Sequence, residues 1–238
     1  MPNYVANKLT VTTTTNEELL NTFLNAVESE ESNFDFNKIV PMPEEIKNTE
    51  ESSIVSDALY YYLWRNGKEQ EIHKIYTFAY SNKDYSKKSK SELDEMYALG
   101  ERYYNIYQKY GATSWYYWCL KNWGTKWNAS YVSINTFTNG AIIYFQTAWS
   151  GVPELIKKLS EMFPELDFEY KYADEDFTYN CGYGVTNNGT FEFETIENAS
   201  DEAFETYCEC WGEDEDDYVY KNGFWYRAED CDEFEDEE

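Results

Sequence analysis

The chain holds one histidine, five cysteines and 46 acidic residues, and these bound the chemistry it can carry. A histidine acting as general base needs a nucleophile or a carboxylate within hydrogen-bond reach. His73 lies in EIHKIY, and no Ser-His-Asp or Cys-His arrangement can be assigned around it, so it reads as a partly exposed helix residue. The cysteines, Cys119, Cys181, Cys208, Cys210 and Cys231, are odd in number and irregular in spacing, which argues against a disulfide framework. Cys208-Glu-Cys210 lacks the two-residue spacing of zinc knuckles, and one histidine leaves a structural zinc site short of ligands. Acid clusters at Asp174-Glu175-Asp176 and Glu213-Asp214-Glu215-Asp216-Asp217 suit hard cations, but neither has the alternating acids, central glycine and terminal glutamate of an EF-hand loop. A glycosidase needs only two carboxylates, and with so many acids such pairs arise by number alone. No GxxxxGK[ST] or GxGxxG loop is present to cradle a phosphate. The expectation is a protein without catalytic residues, metal or cofactor. A carboxylate- and metal-dependent enzyme using residues such as Asp174 and Asp176 is the alternative.

Recognition is the other chemistry on offer. SWYYWCLKNWGTKWNA, residues 114–129, places Trp115, Trp118, Trp123 and Trp127 beside Tyr116 and Tyr117. Two readings stand: a core that buries the indoles, each contributing roughly 2–3 kcal/mol of apolar transfer, or an aromatic anchor at an interface, with Trp123, Trp127 and Trp225 as the candidates. Charge is the louder signal. The net value is −27. Residues 1–164 hold 20 acids against 16 bases, whereas residues 165–238 hold 26 acids against Lys171, Lys221 and Arg227. Such a surface repels nucleic acid and anionic membrane and attracts basic partners. Lys83, Lys87, Lys88 and Lys90 form one basic loop, read as solvated.

These residues need elements to position them. Residues 3–13 read as a strand ending in β-branched residues. Asn16 then caps a helix with Leu19, Leu20, Phe23, Leu24 and Val27 on one face. FDFNKIVPMPEEI reads as an extended run ended by its prolines. Residues 52–110 read as mainly helical, with glycines closing the helices, and Trp115, Trp118, Cys119 and Asn122 fall on one face of a short helix. SYVSINTFTNGAIIYFQTAW is a hairpin turning at Asn139-Gly140. Ser150 and Pro153 open a helix with Leu155, Ile156, Leu159 and Phe163 as its stripe, and a strand follows. Asn188-Gly189 and Asn222-Gly223 mark two further hairpins. Set in order, with the helical insertion removed, this is β-α-β-β-α-β, the split βαβ of a ferredoxin-like fold. The expected class is α+β: a ferredoxin-like antiparallel sheet in residues 1–197, a helical insertion at about 48–113, and an acidic C-terminal β-hairpin extension in residues 198–238. No apolar run approaches membrane-spanning length. MPNYVANKLTVTTTT lacks the basic and apolar regions of a signal peptide, so a cytoplasmic location is expected.

PNYVANKLTVT, FDFNKIVPMPEE, WYYWCLKNWGTKWNA and FQTAWSGVPELIKKLSEMFPELDFEYKYADEDF together resemble the YubB ferredoxin-like domain family of phages and plasmids. The resemblance spans roughly residues 2–177, with NWGTKWNA (Asn122 to Ala129) as its most specific piece. It implies a ferredoxin-like fold and a mobile-element origin, and it carries no biochemical role over to individual residues. The cysteine spacings of iron–sulfur ferredoxins are absent. Residues 198–238 lie outside the part that carries the resemblance.

Function is therefore sought in the acids. Residues 209–238 hold 14 acids against two bases. One reading is a solubilising, partly disordered tail. The other starts from DYVYKNGFWYR, a foldable hairpin among the acids. Acids held on a rigid support can imitate the charge spacing of a nucleic-acid backbone and compete for the basic groove of a host nucleic-acid-binding or defence protein. The candidate acidic surface is Asp174, Glu175, Asp176, Glu209, Glu213, Asp214, Glu215, Asp216, Asp217, Glu229 and Asp230. No membrane and no direct nucleic-acid partner is expected, and oligomeric state stays open. A module that stacks single-stranded nucleic acid on sheet aromatics is a further alternative, and it needs a cationic surface as well.

Overall fold

In the computed structural model the described residues are 3–14, 17–76, 84–187, 189–221 and 223–231, with the side chains of Glu17, Phe224, Asp230 and Cys231 excepted. Asn16, Asn188 and Asn222, expected to cap or turn, and Lys83 of the expected basic loop lie outside them. The elements run in chain order from β1 (Tyr4–Thr12), α1 (Glu17–Val27), α2 (Phe36–Ile39), α3 (Glu44–Lys47) and α4 (Ser53–Arg65). Then come α5 (Ile72–Ile75), α6 (Lys90–Tyr110), α7 (Trp115–Asn122), β2 (Ser130–Phe137), β3 (Gly140–Ala148) and α8 (Pro153–Met162). The chain closes through β4 (Asp167–Asp174), β5 (Cys181–Asn187), β6 (Thr190–Thr195), α9 (Asp201–Trp211), β7 (Tyr218–Lys221), β8 (Phe224–Arg227) and α10 (Ala228–Cys231). Contacts divide the chain into a larger unit, residues 1–41 with 123–238, and a helical unit, residues 42–122.

The larger unit is built on a sheet of order β2-β3-β1-β4-β5-β6, antiparallel at every pairing. Its first four strands have the order expected of a ferredoxin-like fold, and the β5–β6 hairpin adds two beyond β4. Alternation assigns the faces. Val5, Leu9, Val11, Ile143, Phe145, Phe168 and Tyr170 point to one side and are buried with Leu20 and Phe23 of α1 and Leu155, Ile156 and Leu159 of α8. Ring pairs tie this layer together: Phe23 with Phe163 at 5.3 Å and Phe34 with Phe145 at 5.0 Å between centroids.

One polar group sits inside this core. Asn7 is buried, and its amide donates to the carbonyl of Val5 (2.8 Å) and to Thr147 Oγ1 (2.9 Å). The Tyr170 hydroxyl donates to Asn7 Oδ1 and accepts from the backbone of Val152 (2.7 Å). Thr147 in turn donates to the carbonyl of Ser150 (2.7 Å). A buried polar network holds only when each member finds a partner, and satisfying this one fixes the turn that leads from β3 into α8. Ser150, expected to cap α8, donates instead to the carbonyl of Gly124 (2.7 Å). Val152 takes the cap position, with Pro153 opening the helix.

The opposite face carries a layer that was not foreseen. Ser200 caps α9 by accepting from the backbone of Ala203 (3.1 Å), and Ala203 and Cys210 pack on Ala6, Ala173 and Cys181 of the sheet. Lys8 and Lys171 lie directly opposite each other in the β1–β4 register, a destabilising arrangement for like charges. Glu209 of α9 resolves it by bonding both, at 2.7 Å and 2.6 Å. The β7–β8 hairpin then docks on α9, with Trp225 stacked on Phe204 at 3.9 Å and Tyr218 stacked on Phe177 at 5.2 Å.

FDFNKIV differs from its extended reading. Asp35 accepts from the backbone of Asn37 (2.8 Å) and caps the single turn α2. In the helical unit, α4 packs on α6 at very short range: a Cβ at Gly100 would overlap the carbonyl of Ala58. Ser89 and Glu92 form a reciprocal capping box at the start of α6, and Gly111 closes it with a φ of 67°. Leu59, Leu63, Ile72, Tyr76 and Tyr104 form the core of this unit.

Candidate functional site

The aromatic stretch at residues 114–129 is divided between the units, with the boundary at Asn122 and Trp123. Trp118 and Cys119 are buried on α7. Trp123 is 3 % exposed, donates its indole N–H to the carbonyl of Val40 (3.0 Å) and meets Phe36 edge-on. Asn128 accepts from the backbone of Phe36 (2.9 Å) and donates to Asp35 (2.7 Å). Burial opposes ionisation of Asp35, yet the bonds from the Asn37 backbone, Ser29, Asn128 and the Asn37 side chain outweigh it and hold the carboxyl below its ordinary value. NWGTKWNA and FDFNKIV therefore lock one another. Trp123 belongs to that lock and not to an interface. Trp127 is half-buried, with Lys126 over its ring at 4.8 Å. Trp225 is half-buried too, and its indole N–H donates to Asp201 (3.3 Å), so its role is to hold the hairpin.

The candidate acids separate in the same way. Asp174 is 5 % exposed and accepts from Asn3 (3.3 Å), Asn180 (2.8 Å) and the backbone of Asp176 (3.0 Å). It is a turn organiser, not a surface presenter. Glu209 is taken up by its two lysines, whose bonds outweigh burial and hold its carboxyl below the usual value. Glu213 pairs with Arg227 at 2.8 Å, and Glu229 stands 3.9 Å from the same guanidinium. The Asp230 side chain lies outside those described. Glu175, Asp176 and the run Asp214 to Asp217 are exposed. Asp214 also caps the short turn of that run by accepting from the backbone of Asp216 (3.1 Å).

Sequence reasoning missed four acids that the fold brings beside these. On β6, Glu192 and Glu194 stand opposite Val185 and Tyr183 of β5, on the same sheet face as α9. Glu202 and Glu205 project from α9, and with Glu169, Lys171, Tyr183 and Thr206 they line a cleft of about 250 Å³. Tyr183, Glu192 and Glu194 line an adjoining cleft of about 260 Å³. Glu192, Glu194, Glu202 and Glu205 make no ion pair with a described cation. The signal was present as alternation in FEFET and as the i, i+3 spacing of 202 and 205.

Burial pushes the thiols of Cys119 and Cys181 up to about 12, and burial with nearby acids pushes Cys208 to about 11. At neutral pH these are thiols and not nucleophilic thiolates. Among the described residues no group of three or more His, Cys, Asp or Glu is placed to hold a metal ion, and no helix is long and apolar enough to cross a membrane. The sheet face that a base-stacking module would leave open is covered by α9 over β1, β4 and β5.

No curated protein matches the chain. A crystal structure of protein api92 from Yersinia pseudotuberculosis is 9 % identical to it, covering 83 % of this chain and 99 % of that one, with a TM-score of 0.42. Residues 122–221 match the family model described as the ferredoxin-like domain in Api92-like protein. The matched family is thus named Api92-like, where the sequence resemblance pointed to YubB. The match runs past residue 198 through α9 to Lys221, so most of the supposed extension falls inside the matched region. By sheet order and by this match, the chain carries a ferredoxin-like domain similar to that of Api92-like proteins.

Proposed function

We propose that the chain is an interaction protein whose anionic face, formed by β6, α9 and the turn at 213–217, docks on the cationic surface of a nucleic-acid-binding protein and withholds it from nucleic acid. One observation carries this reading: the exposed acids sit on elements that are themselves anchored, β6 in the sheet, α9 through Ala203, Glu209 and Cys210, and the hairpin through Trp225 and Tyr218. Anchored charges lose little entropy on binding and present a fixed spacing, which favours complementary docking over diffuse attraction. The acids that do have cation partners, Glu209 and Glu213, serve the anchoring. The sequence resemblance to mobile-element proteins makes a host defence nuclease the partner class we propose.

The test is capture of partners from bacterial lysate by two neutralised variants of equal fold. In one, Asp214, Asp216 and Asp217 become Asn and Glu215 becomes Gln; in the control, the exposed Glu28, Glu30 and Glu31 become Gln. A partner that salt releases, kept by the control and lost by the first variant, supports the reading. Equal retention by both sinks it. Cutting the chain after Asn198 is unsuitable, because it strips α9 from Ala6, Ala173 and Cys181.

A further inference from the structure

At the end of the sheet where β1 begins and β4 ends, a second site stands apart from the anionic face. Trp149, Thr178, Asn180 and Ala199 hold left-handed backbone, with φ of 70°, 62°, 50° and 59°. They lie in three different connections, after β3, between β4 and β5, and after β6. Hydrogen bonds join these connections: Asn180 donates its side-chain amide to the carbonyl of Trp149 (3.1 Å) and its backbone N–H to Asn198 Oδ1 (3.1 Å), and Ala199 donates to the carbonyl of Thr178 (3.0 Å). A β-branched residue at positive φ is a steric outlier, and such strain gathers where a ligand surface is shaped.

The strained loops border a cleft of about 510 Å³, within the ~300–1,000 Å³ typical of small-ligand sites. Cys181 and Ile196 form its floor, and Tyr172, Tyr179, Asn180, Thr195 and Asn198 its walls. Tyr172 is 6 % exposed. Its ring stacks against Phe193 and is wedged between glycines: a Cβ at Gly151 or Gly182 would overlap it. The wedge fixes the ring, yet its hydroxyl takes no hydrogen bond from the described residues. A hydroxyl on a fixed ring that borders the cleft can both donate to a ligand and accept from one. Thr195 Oγ1 and the Asn198 amide nitrogen are likewise without one. Asn180 Oδ1 accepts nothing from the described residues, while its amide hydrogens go to Trp149 and Asp174.

The lining carries no charged side chain, and Glu194 and Glu197 flank Thr195 and Asn198 in the chain, so an anionic ligand is disfavoured. The one exposed ring among the walls, Tyr179 at 44 %, offers a single stacking face, which suits the apolar face of a sugar and not a base sandwiched between two rings. We propose that this cleft binds a neutral sugar ring, stacked on Tyr179 and hydrogen-bonded by the Tyr172 hydroxyl, Thr195, the Asn198 amide and the Asn180 carbonyl. The proposal uses none of the acids of the docking face and stands or falls separately from it.

The test is titration of the full chain, followed by NMR of its aromatic resonances, with the methyl glycosides of glucose, galactose and mannose, with N-acetylglucosamine, and with uncharged nucleosides as the competing class. Saturable shifts with at least one sugar are expected. Tyr172→Phe keeps the ring and loses only the hydroxyl, so affinity should fall about three- to tenfold with the unfolding midpoint unchanged. Tyr179→Ala, at an exposed position, should abolish saturation. The proposal is overturned if no sugar saturates, if nucleosides bind in their place, or if both variants bind as the parent does.

Discussion

Glu209→Gln is the most revealing single change in the larger unit. Glu209 bonds Lys8 and Lys171, which are directly opposed across β1 and β4. Without its charge, two ammonium groups with side chains only 20 % exposed face each other with a neutral amide between them. Breaking a fully buried pair costs about 3–5 kcal/mol, and an exposed pair is worth about 0.2–1 kcal/mol. With Glu209 at 34 % exposure the cost lies between, at about 1–3 kcal/mol. At roughly 2–4 °C per kcal/mol for a domain of this size, the unfolding midpoint should fall by about 2–12 °C. The pH dependence has a definite sign. Glu209 is held below its ordinary 4.5, so its contribution is present above that pH and is lost as pH falls through the lowered value. Against opposing burial, the bond to Glu209 holds Lys8 above its ordinary 10.5, so that contribution is complete below 10.5 and fades only above it. The gap between parent and variant should therefore be widest from about 4.5 to 10.5 and close in strong acid. Thermal unfolding gives the gap, and amide exchange along α9 shows whether the loss is local. Replacing all three charges with apolar residues should recover most of the stability. A Glu209→Gln protein as stable as its parent at neutral pH would refute the reasoning, as would a gap that survives strong acid.

Three further outcomes are expected. Asn128→Ala removes bonds to the Phe36 backbone and to Asp35, so stability should fall by about 1–3 kcal/mol, read by urea unfolding. Trp225→Ala removes the stack on Phe204, and limited proteolysis should then cut between α9 and β7 while the sheet stays intact; an uncut hairpin would show that Tyr218 and the Arg227–Glu213 pair suffice to hold it. With Cys231 changed to Ser, the remaining thiols should resist alkylation in the folded protein at neutral pH and react on unfolding, because all four are buried; rapid reaction of the native protein would contradict their raised pKa values.

The elements that were legible in the sequence are those whose signal is local. Asn139-Gly140 announces its hairpin because the turn needs positive φ, and Asn139 adopts a φ of 63°. The apolar stripe of α8 and the glycine that ends α6 are similarly self-contained. Helix α9 was missed although Ser200, Ala203, Phe204, Cys208 and Trp211 have helical spacing, because its acids were read as a tail. What makes those acids compatible with a packed helix is non-local: Glu209 finds Lys8 from the first strand. Trp123 and Asn128 stood out in NWGTKWNA, and in the structure both bond the segment from Asp35 to Val40. They close the β2 end of the core on α2, which sequence read as extended because a four-residue turn, Phe36–Ile39, is too short to show helical periodicity. The anionic face was half legible: the run at 213–217 stood out by density, whereas Glu192, Glu194, Glu202 and Glu205 converge only through strand register and helix docking.

The central claim is that the anionic face occupies a nucleic-acid site on its partner. Competition tests it most directly. The complex with a captured partner is titrated with a duplex oligonucleotide that the partner binds, over a range of salt. Mutual exclusion is predicted, with an affinity between the two proteins that falls steeply as salt rises and falls again in the variant neutralised at Asp214 to Asp217. A stable ternary complex of partner, duplex and this protein would contradict the account.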